Sequence, residues 1–165
     1  MIDIKTGDLF ATPPHSWLEK RLASIIGAKT WHWGMFVAED GEGWVITESI
    51  VKGVALTRFA YPYASVYRIK DAGEISWKRL ISLLADYGYL PYDFIVAFRT
   101  AFWWLLKHYL GKVIPVLHDK AVNCQEWVVL LACELGFTIV PHDQYPMCTN
   151  LENSELLEFI GEVGQ

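Results

Sequence analysis

The spacing of apolar and polar residues divides the chain into short strands and longer helices. Strands are expected where apolar residues alternate with polar ones or form β-rich runs, and helices where apolar residues recur near a period of 3.6. The expected strands cover residues 7–10, 30–38, 44–50, 53–57 and 65–69. The expected helices cover residues 16–26, 77–87, 94–110, 124–135 and 154–160. This mixture predicts an α+β domain in which helices pack on a small antiparallel sheet.

The second and third strands are separated by a polar, glycine-containing loop, which predicts a β-hairpin. A hairpin centred on Gly41 pairs Gly34 with Glu48 and places the even-numbered residues of both strands on one face. His32 and Glu48 then become diagonal neighbours, about 7 to 8 Å apart at the backbone. Gly34 leaves space for a contact between their side chains. A β-bulge in either strand would shift this parity.

Residues 123–136 carry the marks of a helix that begins at a cysteine. Asn123 is a suitable N-cap, Glu126 stands three residues later as in a capping box, and Gly136 suits the end of a helix. The residues between these caps are apolar nearly all round, which predicts a central buried helix. Backbone N–H groups and the helix dipole favour a thiolate in the first turn. Cys124 is therefore placed as a nucleophile would be.

A structural role is the alternative for each of these residues. A free cysteine usually fills space in a core, a strand histidine is usually structural, and a strand glutamate is usually solvated. Cys133 lies about 180° around the helix from Cys124, so we expect it to face the core. An activated thiol needs a base and a group that orients the base. His32 and Glu48 supply these two groups if the fold brings them to Cys124.

Composition narrows the classes of function. The 165 residues are 53% hydrophobic and 15% aromatic, which supports one domain over residues 1–165 and excludes disorder. A net charge of -5 leaves no basic surface for nucleic acid. The N-terminal residues show no signal-peptide pattern, and the three cysteines show no disulfide framework, so we expect a reducing cytoplasm.

Two features leave alternatives open. Residues 94–110 are rich in aromatic residues but too short and too charged for a membrane span, so a packed helix is favoured over a helix that contacts a membrane surface. Cys124, His118, His142 and Cys148 could be combined into a zinc site, but their spacing follows no ligand motif. We therefore expect no metal or other cofactor.

The order of several short motifs resembles that of a known superfamily. Residues 7–10 (GDLF) followed by 32–37 (HWGMFV) resemble the "GDL…HVGIYV" strands of the NlpC-type papain-like cysteine peptidases. The nucleophilic cysteine usually precedes these strands, whereas here residues 123–128 (NCQEWV) follow them. That order resembles the circularly permuted, YiiX-like branch, which is related to lecithin retinol acyltransferase. Residues 47–54 (TESIVKGV) and 90–93 (LPYD) resemble its "EA…GV" and "PYD" segments.

The resemblance implies a permuted papain-like fold with a small antiparallel sheet packed against a central helix that starts at Cys124. It also implies Cys124 as the nucleophile, His32 as the general base and Glu48 as the orienting residue. Tyr92 would lie near the site and help to hold the oxyanion. The chain departs from the family at Gln125, where a small residue is usual, and in the tryptophans that flank His32.

The activity expected from this resemblance is thiol-dependent hydrolysis of an amide bond, as in an amidase or endopeptidase that acts on a cell-wall (peptidoglycan) peptide. Cys124 would attack the carbonyl carbon to form an acyl-enzyme, and His32 would carry the protons. One alternative is a lipid acyl hydrolase or acyltransferase that acts on a lipid amide or ester. The other is a non-catalytic binding or phage-assembly module on the same scaffold.

Overall fold

The computed structural model describes residues 2–87, 90–92 and 122–164. Within these residues the chain forms six strands and four helices. The strands are β1 (Leu9–Thr12), β2 (His32–Asp40), β3 (Gly43–Ile50), β4 (Gly53–Arg58), β5 (Ala64–Ile69) and β6 (Leu157–Val163). The helices are α1 (Trp17–Ile26), α2 (Trp77–Tyr87), α3 (Cys124–Glu134) and α4 (Cys148–Glu152). The helix predicted over residues 94–110 lies outside the described residues.

The six strands form one antiparallel sheet in the order β4-β3-β2-β1-β5-β6. Consecutive strands β2, β3 and β4 make a meander on one side of β1, and β5 and β6 lie on its other side. The prediction of an α+β domain with an antiparallel sheet is confirmed. None of the described helices is long and apolar enough to cross a membrane.

The two faces of the sheet bury different apolar clusters because side chains alternate along each strand. The face that packs on α3 buries Leu9, Ala11, Trp33, Met35 and Val37. The opposite face buries Phe10, Phe36, Ile46, Ala64 and Val66. Up to the register shift after Phe36, the even-numbered residues of β2 share a face with those of β3, as the hairpin pattern predicts. The helix that begins at Cys124 packs on the other face. His32 is the first residue of β2, and its side chain interacts with Cys124 at the start of the helix.

The hairpin register is confirmed next to the candidate site and differs at the tip. Gly34 pairs with Glu48, as the sequence predicts. The register shifts between Phe36 and Ala38, so that Ala38 pairs with Val45. A β-bulge of this kind adds one residue to one strand and changes the parity only beyond it. The site lies on the unshifted side of the bulge.

The α3 helix is largely buried, as its composition predicts, and its exposed residues are Cys133 and Glu134. Its most buried residues form one stripe. The buried stripe consists of Cys124, Trp127, Val128, Leu131 and Ala132. Cys133 is exposed, so the expectation that it faces the core is wrong. The angle between the two cysteines is as expected, but Cys124 itself lies on the buried stripe. A residue on the opposite side of the helix therefore faces away from the core.

The C-terminal segment forms a strand where the sequence pattern predicts a helix over residues 154–160. Residues Leu157–Val163 form β6, which pairs with β5 along the edge of the sheet. A short apolar run fits a helical and a strand period about equally well. The edge of β5 favours the strand because its unpaired backbone N–H and C=O groups form hydrogen bonds with an adjacent strand and not with a helix.

Candidate active site

His32 and Glu48 meet across the β2–β3 hairpin. His32 begins β2, and Glu48 lies in β3 opposite Gly34. The Nε2 atom of His32 lies 2.7 Å from the Oε2 atom of Glu48. Adjacent strands that pair locally place such diagonal neighbours within reach of each other. The contact between the two side chains therefore follows from the register of the hairpin.

Gly34 serves the site in a different way from the one expected. A Cβ atom at this position would lie 2.4 Å from Cζ of Phe10 and 2.8 Å from the carbonyl oxygen of Thr47. The space beside Gly34 is therefore filled by the Phe10 ring, whose centroid lies 6.2 Å from that of His32. The glycine allows an aromatic ring to pack beneath the imidazole.

Glu48 is buried and fully engaged in hydrogen bonds. Its side chain is 6% exposed. Oε2 accepts hydrogen bonds from Nε2 of His32 at 2.7 Å and from the hydroxyl of Tyr61 at 2.5 Å. Oε1 accepts a hydrogen bond from the hydroxyl of Thr57 at 2.7 Å. Burial raises the pKa of Glu48, but these hydrogen bonds outweigh it and hold the pKa below its usual value. The side chain is therefore a carboxylate with a donor on each oxygen.

Cys124 is the first residue of α3 and follows a complete capping box. The Oδ1 atom of Asn123 accepts the backbone N–H of Glu126 at 2.9 Å, and Oε2 of Glu126 accepts the backbone N–H of Asn123 at 2.9 Å. The hydroxyl of Tyr145 donates to Oε1 of Glu126 at 2.8 Å. The Glu126 carboxylate thus points back to the helix cap, as the sequence predicts, and is hydrogen-bonded there by the Asn123 N–H and the Tyr145 hydroxyl.

His32 interacts with both Cys124 and Glu48. Burial by itself lowers the pKa of His32, but hydrogen bonding to Cys124 and Glu48 and their negative charges raise it to about 10. The imidazole is therefore protonated near neutral pH and lies between a sulfur and a carboxylate. An imidazole held beside a cysteine at a helix N-terminus is an arrangement that can activate the thiol as a nucleophile.

The side chain of Gln125 links the segment that carries Cys124 to the segment that carries His32. Its Nε2 group donates to the carbonyl oxygen of Trp31 at 2.9 Å and to Sγ of Cys148 at 2.8 Å. The Cys124 sulfur lies 3.9 Å from the same carbonyl oxygen. Gln125 follows Cys124 and Trp31 precedes His32, so the bond holds the two segments side by side.

The backbone of Tyr92 lies next to the segment that leads into Cys124. It forms an isolated parallel bridge with Val122, two residues before Cys124. The carbonyl oxygen of Val122 also accepts the hydroxyl of Ser49 at 2.7 Å. The structure thus brings Cys124, His32 and Glu48 together and places Tyr92 on a neighbouring segment. The catalytic roles of these residues, including the oxyanion role of Tyr92, stay predictions.

Two partners of Glu48 were missed by sequence reasoning. Thr57 lies in β4, and the pairing of β3 with β4 places Glu48 opposite Ala55, so Thr57 is a diagonal neighbour. Extending the register argument by one strand would have found it. Tyr61 lies in the connection between β4 and β5, where no strand register applies, and no sequence signal indicates it.

The described residues offer no cluster of three or more histidine, cysteine and carboxylate side chains that could hold a metal ion. Cys124, His142 and Cys148 from the zinc alternative lie within the described part of the chain, and His118 lies outside it. Structural zinc sites use four protein ligands and catalytic sites use three. The described residues therefore do not fit a metal site.

Comparison with known proteins supports the fold. No protein-family model matches the chain, and no curated protein matches it by sequence. Among solved structures, it is similar to the metalloprotein YiiX from Escherichia coli O157:H7, with a TM-score of 0.50 and 18% identity. The match covers 98% of this chain and 88% of that chain. At this identity the likeness shows a shared fold and carries no activity. The circular permutation relative to NlpC-type enzymes stays a prediction.

Proposed function

We propose that this protein is a thiol-dependent hydrolase with Cys124 as nucleophile, His32 as general base and Glu48 as the residue that orients the imidazole. The observation that carries the proposal is the position of His32, which bonds to the buried carboxylate of Glu48 at 2.7 Å and interacts with Cys124. Each of these residues alone has a structural explanation. An activated thiol requires a base that contacts the nucleophile and an acidic residue that contacts and orients the base. Cys124, His32 and Glu48 follow this arrangement.

The reaction has two halves. In the first, the Cys124 sulfur attacks a carbonyl carbon, and the backbone N–H of Cys124 at the helix N-terminus donates to the developing oxyanion. The His32 imidazolium gives its proton to the leaving amine as the carbon–nitrogen bond breaks, which leaves an acyl-enzyme. In the second half, neutral His32 takes a proton from water, which attacks the thioester carbonyl. The carbon–sulfur bond breaks, the acid leaves and the thiolate returns with the imidazolium.

An amide is the substrate that the electrostatics favour. An amine leaves only when it is protonated, and the raised pKa of His32 means that the required proton is already on the imidazole. We therefore propose an amidase or endopeptidase, with a cell-wall peptide as the substrate that the motif resemblance implies. The lipid alternative rests on residues 94–110, which lie outside the described residues.

No step of this mechanism passes through a metal. YiiX is described as a metalloprotein, but the described residues of this chain contain no group of three or more suitable ligands. The thiol and the imidazole supply the nucleophile and the proton transfers that a metal-bound water would otherwise provide. The proposal therefore rests on side chains that the structure places in contact.

The first test is the alkylation rate of each cysteine in one molecule, measured by iodoacetamide labelling at pH 6 and peptide mass spectrometry. Cys133 is an internal control because it is exposed, whereas Cys124 is buried. We expect Cys124 to react at least about tenfold faster than Cys133, because thiolate and not thiol is the reactive form. His32→Ala should remove this advantage, whereas His142→Ala, at an exposed histidine, should leave it unchanged.

Equal or slower reaction of Cys124 than of Cys133, with and without His32, would overturn the proposal and favour a binding module. If Cys124 is activated, hydrolysis of peptide amides from cell-wall fragments should be compared with hydrolysis of lipid esters in vesicles. Cys124→Ala provides the inactive control. Cleavage of the amides supports the proposed substrate, whereas cleavage of the lipid esters alone replaces it with the lipid alternative.

A further inference from the structure

The hydroxyl of Tyr61 shares one carboxylate oxygen with the candidate base. Tyr61 donates to Oε2 of Glu48 at 2.5 Å, and Nε2 of His32 lies 2.7 Å from the same atom. Thr57 occupies the other carboxylate oxygen. Among the described side chains, Tyr61 is therefore the one whose hydroxyl donates to the Glu48 oxygen that His32 also contacts.

The ring of Tyr61 is held in place by its neighbours. Its centroid lies 5.8 Å from the His32 ring, 5.4 Å from the Phe10 ring and 5.7 Å from the Phe59 ring. Aromatic pairs at these distances pack with defined geometry and restrict each other's rotation. The aromatic cluster thus directs the Tyr61 hydroxyl at Glu48.

The electrostatic surroundings keep this hydroxyl protonated. Burial raises the pKa of Tyr61, and the negative charges of Glu48 and Cys124 raise it further. Tyr61 therefore remains a hydrogen-bond donor throughout the pH range in which His32 is protonated. The same donor stabilises the carboxylate form of Glu48, which lies in a buried place where water supplies little solvation.

We propose that Tyr61 is a positioning residue, whose hydroxyl keeps Glu48 ionised and holds Oε2 in the orientation that fixes the His32 imidazole. It acts on the reaction through Glu48. The expected effect of Tyr61 on kcat rests on the proposed function, whereas its expected effect on the ionisation of Glu48 does not. Glu48 is faced by His32 from β2, by Thr57 from β4 and by Tyr61 from the β4–β5 connection.

The decisive variant is Tyr61→Phe, which keeps the ring and removes only the hydroxyl. The matched control is Tyr63→Phe, because Tyr63 stands two residues away and donates to Glu162 on the exposed surface. The first readout is the carboxyl carbon resonance of Glu48 in NMR spectra recorded across acid pH. We expect the pKa of Glu48 to rise by roughly one unit in Tyr61→Phe and to stay unchanged in Tyr63→Phe.

The second readout is kinetic and uses the substrate found in the hydrolysis assay. We expect Tyr61→Phe to lower kcat by about tenfold or more with little change in KM, and to move the acid limb of the pH profile upward with the pKa of Glu48. In a Glu48→Gln background, the same change should have little further effect on kcat. A residue that only packs against His32 would produce neither the pKa shift nor this dependence on Glu48.

The two proposals fail in different ways. An unchanged pKa of Glu48 in Tyr61→Phe would overturn the role of Tyr61 even if Cys124 proves to be an activated nucleophile. An inert Cys124 would overturn the hydrolase proposal, while the NMR titration, which needs no turnover, would still decide whether Tyr61 controls Glu48. Thermal unfolding of Tyr61→Phe and Tyr63→Phe confirms that both variants are folded before the comparison is made.

Discussion

The side-chain amide of Gln125 donates to the carbonyl oxygen of Trp31 at 2.9 Å and so joins the residue after the candidate nucleophile to the residue before the candidate base. Cys124 and His32 belong to elements that are far apart in the sequence, and this bond crosses from one to the other. Gln125 departs from the motif of the hydrolases that this chain resembles, in which a small residue usually follows the cysteine. In this fold the longer side chain has a defined partner.

Removing the Gln125 amide should weaken both the fold and the site. Gln125→Leu keeps much of the side-chain volume but deletes the bonds to Trp31 and Cys148. We expect the free energy of unfolding in urea to fall by about 1 to 3 kcal/mol and Cys124 alkylation at pH 6 to slow severalfold. Gln144→Leu, at an exposed glutamine, is the control and should change neither. Unchanged alkylation in a destabilised Gln125→Leu protein would show that the bond is structural only.

Two capping boxes among the described residues allow the cap at the site to be tested against an equivalent one. Ser16 caps α1 and Asn123 caps α3, each with a glutamate three residues on. Ser16→Ala and Asn123→Ala should each lower the free energy of unfolding by about 1 kcal/mol. Only Asn123→Ala should also slow the alkylation of Cys124, because only that cap orders the N–H groups at the helix end that carries Cys124. Equal effects of both changes on Cys124 would contradict this expectation.

The stability of the protein should depend on the ionisation of Glu48 at acid pH. The pKa of Glu48 is lower in the folded chain than its ordinary value of 4.5, so its contribution to stability is complete above pH 4.5. That contribution is lost as the pH falls through the folded pKa. We therefore expect the difference in unfolding free energy between the parent protein and Glu48→Gln to be smaller at pH 3 than at pH 6.

Urea unfolding at both pH values measures this difference, and Glu42→Gln is the control because its side chain is 77% exposed. The difference between the parent protein and Glu42→Gln should be small at both pH values. A parent advantage over Glu48→Gln that persists undiminished at pH 3 would mean that the Glu48 carboxylate is not stabilised by its donors.

Cys148 should behave as an inert thiol although it lies beside the site. Burial and the negative charge of Cys124 raise the pKa of Cys148. We expect its alkylation at pH 8 to be at least about tenfold slower in the folded protein than in urea, because both access and the thiolate fraction are reduced. The measurement is peptide mass spectrometry after timed labelling, with exposed Cys133 as the reference. Rapid labelling of Cys148 in the folded protein would contradict its placement.

Local patterns predicted the parts of the candidate site that depend on near neighbours in the chain. The capping box at Asn123 was predicted because its bonds join residues three positions apart. The contact between His32 and Glu48 was predicted because one hairpin sets their register and the β-bulge lies beyond them. The spacing of apolar residues also predicted α1 and α2 with nearly the observed limits.

The sequence by itself thus determined α1 and α2, the cap before Cys124 and the pairing of His32 with Glu48, because hydrogen bonds within a helix or a hairpin depend on spacing along the chain. Only the tertiary structure decided that Cys133 faces solvent, that the last segment joins the sheet as β6, and that Tyr61 and Gln125 contact the site. These outcomes depend on which remote surfaces pack together. Periodicity shows that a residue has a buried or exposed side, but the packing partner determines which side that is.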